Sequence, residues 1–108
     1  MANYNHRQIA MLVSLFVEEN DSNAFAQLYG LTYNKIYNYA CYYLKDTYLA
    51  QDALQEIYIQ VMKKLPDLKE PELFISWLNT IAFHVCYDIA IRKSKAEFSS
   101  SELLELLN

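Results

Sequence analysis

Glycine and proline, the residues that most often bend or end a chain segment, are almost missing from this sequence. Its 108 residues contain one glycine and two prolines, and 54% of them are hydrophobic. Sandwiches and barrels need frequent turns, whereas a helical bundle needs few. The length suits one domain with one core. We therefore predict an all-α fold, a compact bundle of three to four helices followed by a short C-terminal linker and helix.

Residues 46–65 show two unlike faces when they are placed on a helix. The apolar face, which is expected to enter the core, consists of Ala50, Ala53, Leu54, Ile57, Val61 and Leu65. The opposite face is polar and acidic and consists of Asp52, Gln55, Glu56, Ile59, Gln60 and Lys63. Ile59 is unusual there, although single exposed apolar residues are common. We interpret the rest of the chain as a bundle that holds this helix and exposes its outer side.

Hydrophobic periodicity predicts three further helices, over residues 5–19, 22–44 and 72–95. Asp21 or Ser22 can cap the second helix, and Asp46 can cap the third. A loop is expected over residues 66–71, because a proline stands at each end. Gly30 inside the second helix predicts a kink or a close helix crossing.

Two further core faces follow from the same periodicity. The second helix is expected to bury Phe25, Leu28, Tyr29, Thr32, Ile36, Tyr39, Ala40 and Tyr43. The fourth is expected to bury Phe74, Trp77, Leu78, Ile81, Ala82, Val85 and Ile89. Asp88 and Arg92, spaced four residues apart, are expected to form an ion pair.

Seven of the ten tyrosines lie between Tyr29 and Tyr48. They can stack on bases, or they can fill the edge of the core with their hydroxyls in water, and we favour the second interpretation. Phe83 and Tyr87 lie one turn apart on the outer side of the fourth helix. That pair indicates either a partner surface or packing against the first helix.

The net charge of −4 argues against a strong nucleic-acid binder. Three of the acidic residues, however, lie in the last thirteen positions, which hold no base, so residues 1–95 carry a net charge of only −1. We divide the chain there, into a helical domain over residues 1–95 and a linker with an acidic, leucine-rich segment over residues 96–108. Ser99, Ser100 and Ser101 form the expected linker, and residues 102–107 the expected short helix.

No motif for catalysis, for a cofactor or for a metal ion appears in the sequence. Cys41 and Cys86 are interpreted as free, buried thiols in a reducing cytoplasm. No run of about 18 uncharged apolar residues exists, so no membrane span is expected. Asp52 and Glu56 are paired carboxylates one turn apart, but no pocket-forming set accompanies them. We therefore prefer a binding function to an acid–base enzyme.

Four sequence elements between Phe25 and Lys93 resemble region 2 of the sigma-70 family, most closely its extracytoplasmic-function (ECF) group. The first is an aromatic-Leu-Tyr element over residues 25–29, and the second a tyrosine-rich run over residues 36–40. The third, over residues 50–58, is similar to the family run A-E-D-x-x-Q-E-x-F. The fourth corresponds to F-x-x-W-L-x-x-I-A followed by Asp and Arg-Lys, and contains Phe74, Trp77, Leu78, Ile81, Ala82, Asp88, Arg92 and Lys93.

This resemblance implies a protein that binds core RNA polymerase and promoter DNA. The third helix would dock on a coiled coil in the clamp of the polymerase β′ subunit. The polymerase contacts implied are Asp52, Gln55 and Glu56, with Ile59 and Met62 as apolar supplements. An acidic stripe with an embedded aliphatic residue suits docking of one helix on another. The resemblance also leaves room for an anti-sigma factor as a partner.

On the DNA side, the resemblance implies that the 66–71 loop and the fourth helix engage the minus-ten element, stabilise its melted non-template strand and capture a flipped base. Aromatic side chains can stack on such bases, and basic side chains can hold phosphates. The candidates for base contacts are Asn79, Thr80, Phe83, His84 and Tyr87. The basic candidates are Lys63, Lys64, Lys69, Arg92, Lys93 and Lys95.

The sequence departs from the family pattern mainly on this DNA side. His84 stands where the family usually has Asn, and Phe83 where a base is common. The 66–71 loop and the residue after it carry Asp67, Glu70 and Glu72, which repel phosphate. The alternative interpretation is therefore a degenerate sigma-like interaction or regulatory module that does not bind DNA.

Overall fold

The computed structural model describes residues 4–107, with the side chains of residues 98–103 outside the description. These residues form four α-helices: α1 (His6–Glu19), α2 (Ser22–Leu44), α3 (Thr47–Lys64) and α4 (Phe74–Leu107). Two 3₁₀ turns, Leu65–Asp67 and Pro71–Leu73, connect α3 to α4. α2, α3 and α4 pack against one another, and α1 packs on α2 and on the turn before α4. The predicted all-α bundle is confirmed.

Capping residues set the ends of the first three helices. The side chains of Asn5, Asp21 and Asp46 accept hydrogen bonds from the free backbone N–H groups at the starts of α1, α2 and α3. α1 and α2 end at Asn20 and Lys45, both with φ 54°, in the left-handed conformation that turns the chain sharply. Each of these helices is therefore followed by the next after only two residues.

The apolar face of α3 lies in the core as predicted. Ala50, Ala53, Ile57, Val61 and Leu65 are buried, and Leu54 packs against them half-buried. Tyr58 is also buried, although it is not part of the predicted apolar face.

The predicted core face of α2 needs a correction. Its buried residues are Ala24, Leu28, Thr32, Ile36, Ala40 and Leu44, at intervals of four along the helix. Tyr29 is 37% exposed, because the small and aliphatic side chains make the close contact and the tyrosines flank it. Phe25, Tyr39 and Tyr43, which were also expected to be buried, are half-buried at the core edge, where Tyr37 packs as well. Tyr42 is 80% exposed.

On α4, all the residues predicted to be buried are buried except Trp77, which is half-buried beside Phe74. Cys86 is also buried, although it was not listed among the core residues of this helix. Both cysteines are free, as predicted, but Cys41 is only half-buried. No other helix of the described chain lies against Gly30, because a Cβ at this position would have no neighbouring side chain or backbone of another element within 4 Å. The expectation of a close helix crossing at Gly30 is therefore wrong.

The predicted serine linker is helical. α4 continues through residues 99–101 to Leu107 and is 34 residues long. Serine costs a helix only about 0.5 kcal/mol per residue relative to alanine, and the flanking residues Ala96, Glu97 and Leu104 are good helix formers. The expected break before residues 102–107 is therefore absent. The division of the chain at residue 95 into a helical domain and a C-terminal segment remains a prediction.

One stretch, Pro71–Glu97, is long and apolar enough to cross a membrane, with a mean hydropathy of 1.3. Its apolar side chains include Phe74, Leu78, Val85 and Ile89, which are buried against the other helices. A core helix passes the same test of length and composition, and 39% of the apolar segment is buried inside the bundle.

A buried hydrogen-bonded link joins α2 to α3. The hydroxyls of Thr32 and Tyr58 lie 2.5 Å apart, and Thr32 Oγ1 also donates to the Leu28 carbonyl oxygen at 2.8 Å. Thr32 has one proton, so the Tyr58 hydroxyl must be the donor to Thr32 Oγ1. Burial raises the pKa of Tyr58 well above its usual range, which keeps the hydroxyl protonated.

A double-mutant cycle tests this link. Thr32→Val leaves the buried Tyr58 hydroxyl without an acceptor and is expected to cost about 1–3 kcal/mol of unfolding free energy. Tyr58→Phe leaves Thr32 with its bond to Leu28 and should cost about 1 kcal/mol. The double variant should be more stable than the sum of the two losses predicts, by about 1 kcal/mol in urea denaturation. Strictly additive losses would contradict the link itself, and a larger loss for Tyr58→Phe than for Thr32→Val would contradict the proposed direction of the bond.

Candidate functional site

The outer face of α3 presents the residues that the sequence assigned to a protein partner. Asp52, Gln55 and Glu56, with Ile59 and Met62, are all exposed, and we call these five residues the acidic ridge. Ile59 is 44% and Met62 51% exposed. The ridge faces outward because the opposite stripe of the same helix is the core face.

The carboxylates of the ridge form no ion pair with a base among the described residues. Glu56 Oε1 accepts a hydrogen bond from Gln60 Nε2 at 3.3 Å, and Gln60 Oε1 accepts one from Lys64 Nζ at 3.3 Å. Within the described residues no ion pair engages Asp52 or Glu56. Both negative charges therefore remain available to a partner.

An apolar groove runs along the side of the ridge that faces α2. It has a volume of about 610 Å³ and is lined by Phe25, Tyr29, Gln51, Asp52, Leu54, Gln55, Tyr58, Ile59, Met62 and Lys63. Tyr29 packs edge-on against Tyr58, with ring centroids 4.7 Å apart. The sequence analysis placed Phe25 and Tyr29 in the core and did not predict that they line a groove beside the acidic ridge. Their one-turn spacing beside the buried stripe was the available signal.

A second groove, here called the charged groove, runs along the other side of the ridge, between α3 and α4. It has a volume of about 530 Å³ and is lined by Leu49, Asp52, Glu56, Ile89, Arg92 and Lys93. The predicted ion pair of Arg92 with Asp88 is not formed. Arg92 Nε instead donates to the Asp88 carbonyl oxygen at 3.4 Å. Arg92 and Lys93, which the sequence assigned to DNA, thus line the same groove as two ridge residues.

On the outer side of α4, Phe83, His84 and Tyr87 form an aromatic cluster with Tyr43 of α2. The Phe83 ring lies 6.1 Å from Tyr43, 5.6 Å from His84 and 6.0 Å from Tyr87, between ring centroids. Phe83 therefore packs on α2, which corrects the expectation of packing on α1. Phe83 and Tyr87 remain 44% and 48% exposed, so parts of both rings are open to solvent.

The other DNA candidates are spread over several elements. Asn79 borders a cleft with α2, and Thr80 Oγ1 donates to the Ser76 carbonyl oxygen at 3.1 Å. Lys63 lines the apolar groove and Lys64 is bonded to Gln60, so both bases lie with α3. Lys69, in the connection before α4, and Lys95, further along α4, are exposed.

No metal centre is found in the part of the chain that the structure describes, and the buried thiol of Cys86 is not a reactive one. No three His, Cys, Asp or Glu side chains of residues 4–97 and 104–107 are grouped so as to hold a metal ion. Burial raises the pKa of the Cys86 thiol, which disfavours the reactive thiolate.

The bundle, its unpaired acidic ridge and the two flanking grooves define a helical binding module. Residues 28–97 match the family model of sigma-70 region 2. The chain therefore belongs to the sigma-70 region 2 family, whose members are transcription initiation factors rather than enzymes. Their roles are RNA polymerase binding and promoter recognition. No curated protein and no solved structure matches the chain closely enough to add to this assignment.

Two isoleucines on opposite faces of α3 test the separation of core and ridge. Ile59→Ala should change the unfolding free energy by less than about 0.5 kcal/mol, because its side chain is a surface one. Ile57→Ala, at a fully buried position, should cost about 2–5 kcal/mol. Thermal and urea unfolding of the two variants measure the difference. Equal losses would mean that Ile59 contributes to the core.

Proposed function

We propose that this chain is a transcription initiation domain of the ECF type, acting in the bacterial cytoplasm without catalysis of its own. It binds the clamp coiled coil of the polymerase β′ subunit through the acidic ridge, and it recognises and melts the minus-ten promoter element. The observation that carries the proposal is the ridge itself: exposed carboxylates without ion-pair partners in the described chain, beside exposed Ile59 and Met62.

Docking of a helix on the ridge would use charge and burial for different purposes. Asp52 and Glu56 attract basic residues and set the orientation of the partner, as complementary charges do at interfaces. Burying a side chain such as Ile59 contributes about 25 cal/mol for each Å² of apolar surface removed from water. The apolar groove extends that surface to Tyr29 and Tyr58.

Charge reversal in the ridge tests polymerase binding. Glu56→Lys should weaken binding to core RNA polymerase at least tenfold, because truncating or reversing one member of a buried charge pair costs about 2–5 kcal/mol. Glu18→Lys, the same change on the exposed end of α1, is the matched control and should bind normally. Pull-down or interferometry with core polymerase gives the affinities, and circular dichroism checks that helix content is retained.

Equal binding by Glu56→Lys and the native chain would overturn the polymerase assignment. Equal weakening by Glu18→Lys would show instead that the loss reflects overall charge rather than the ridge.

The DNA-binding half of the proposal is supported by the aromatic cluster. Partly exposed rings of Phe83 and Tyr87 offer faces on which melted bases can stack. His84 beside them, with Asn79 and Thr80, supplies hydrogen-bonding groups for base edges.

Ring removal tests this half. Phe83→Ala and Tyr87→Ala should each weaken binding of a single-stranded minus-ten oligonucleotide by about 1–3 kcal/mol, the usual value of one stacked base. Tyr42→Ala removes an exposed tyrosine of α2 outside the cluster and should have no effect. Fluorescence anisotropy at several salt concentrations measures the affinities.

A flat salt response with no measurable affinity in the anisotropy titration would contradict DNA binding. It would favour the second candidate, a degenerate sigma-like interaction module. One observation favours that candidate: Lys93 lines the charged groove beside the ridge, and Arg92, which also borders a cleft with Tyr87, shares that cleft with the acidic Asp88. Under either function, an anti-sigma factor that covered the ridge would compete with polymerase.

A further inference from the structure

The charged groove has walls of opposite sign that do not neutralise each other. Asp52 and Glu56 of α3 form one wall, and Arg92 and Lys93 of α4 form the other. Within residues 4–107 no ion pair joins the two walls, and Arg92 Nε is directed to a backbone carbonyl of its own helix. An open groove of this kind favours an occupant whose charges are arranged in the opposite order.

The floor of the charged groove is apolar. Leu49 is half-buried and Ile89 is 9% exposed, and they lie between the two walls. From Leu49 to Glu56 the α3 wall is about two helical turns long, roughly 10 Å. A helix with one apolar residue between flanking charges fits this surface, as in a coiled coil, where charged residues flank the apolar seam.

A nucleic-acid backbone fits the charged groove less well. A phosphate held by Arg92 or Lys93 would be placed in the same groove as the carboxylates of Asp52 and Glu56, which repel it. The arrangement of charges therefore favours a protein helix over a DNA strand at this place.

We infer that the charged groove receives a helical segment of RNA polymerase that places an apolar residue on Leu49 and Ile89. A basic residue of that segment faces Asp52 and Glu56, and an acidic residue faces Arg92 and Lys93. Lys93 is thus a polymerase contact rather than a DNA contact, whereas Arg92 borders both the charged groove and a cleft with Tyr87 of the aromatic cluster. This inference rests on the proposed function and adds the partner's charge pattern to it.

Charge reversal of Lys93 tests the inference. Lys93→Glu should weaken binding to core RNA polymerase about tenfold, because it sets two like charges against each other at the interface. Arg7→Glu makes the same change in net charge on α1 and is the control that should bind normally. Lys95→Glu, two residues further along α4 and not part of the groove lining, should weaken polymerase binding much less than Lys93→Glu.

Binding to a single-stranded minus-ten oligonucleotide, measured for the same variants, separates the two interpretations. If the charged groove receives a polymerase helix, Lys93→Glu should weaken polymerase binding far more than oligonucleotide binding. Loss of oligonucleotide affinity alone, similar for Lys93→Glu and Lys95→Glu, would overturn the inference and assign Lys93 to the DNA backbone. If Lys93→Glu lowers the melting temperature, the neutral Lys93→Gln should still bind polymerase severalfold more weakly.

Failure of the inference can be distinguished from failure of the proposed function. Normal polymerase binding by Lys93→Glu together with weak binding by Glu56→Lys would overturn the inference about the charged groove. The proposal that the acidic ridge binds polymerase would still stand. Normal binding by both variants would overturn both.

Discussion

The burial of one face of α3 is the constraint on which the orientation of that helix depends, and the bond between the Thr32 and Tyr58 hydroxyls reinforces it. This bond lies in the core between α2 and α3, where Ala40, Ala50 and Ala53 are fully buried and let the two helices approach closely. A polar pair in such a place is satisfied in only one rotational setting of the helix, since each residue step turns the side chain by about 100°. In that setting the carboxylates of α3 face water.

The outward face of α3 is thus a consequence of the packing of its inward face. The same packing brings Tyr29 from α2 to one side of the ridge and Lys93 from α4 to the other. The ridge therefore lies between an apolar wall and a basic wall. Its uncompensated charges contribute little to stability, because exposed charges are well solvated. They are better explained by binding than by folding.

Much of this surface could be predicted from residues that are close in sequence. The periodicity of residues 46–65 identified both faces of α3, and the acidic residues at the helix starts identified two caps. The burial of residues that depends on a neighbouring helix was harder to predict. Tyr58 is buried and Tyr29 partly exposed because of how α2 and α3 meet, which no stripe within one helix reveals. The serine run was misread because its composition suggests a linker, although serine is only mildly unfavourable in a helix.

The sequence by itself determined the all-α class, the starts of the first three helices and the membership of the acidic ridge apart from Met62, which the family resemblance added. It did so because local hydrogen bonding and a period of 3.6 residues act within one segment of chain. Only the tertiary structure decided what lies beside the ridge. The two grooves join side chains from helices far apart in sequence, as Tyr29 and Lys93 show. Their neighbourhood follows from the packing of helices around a shared core, which no single helix specifies.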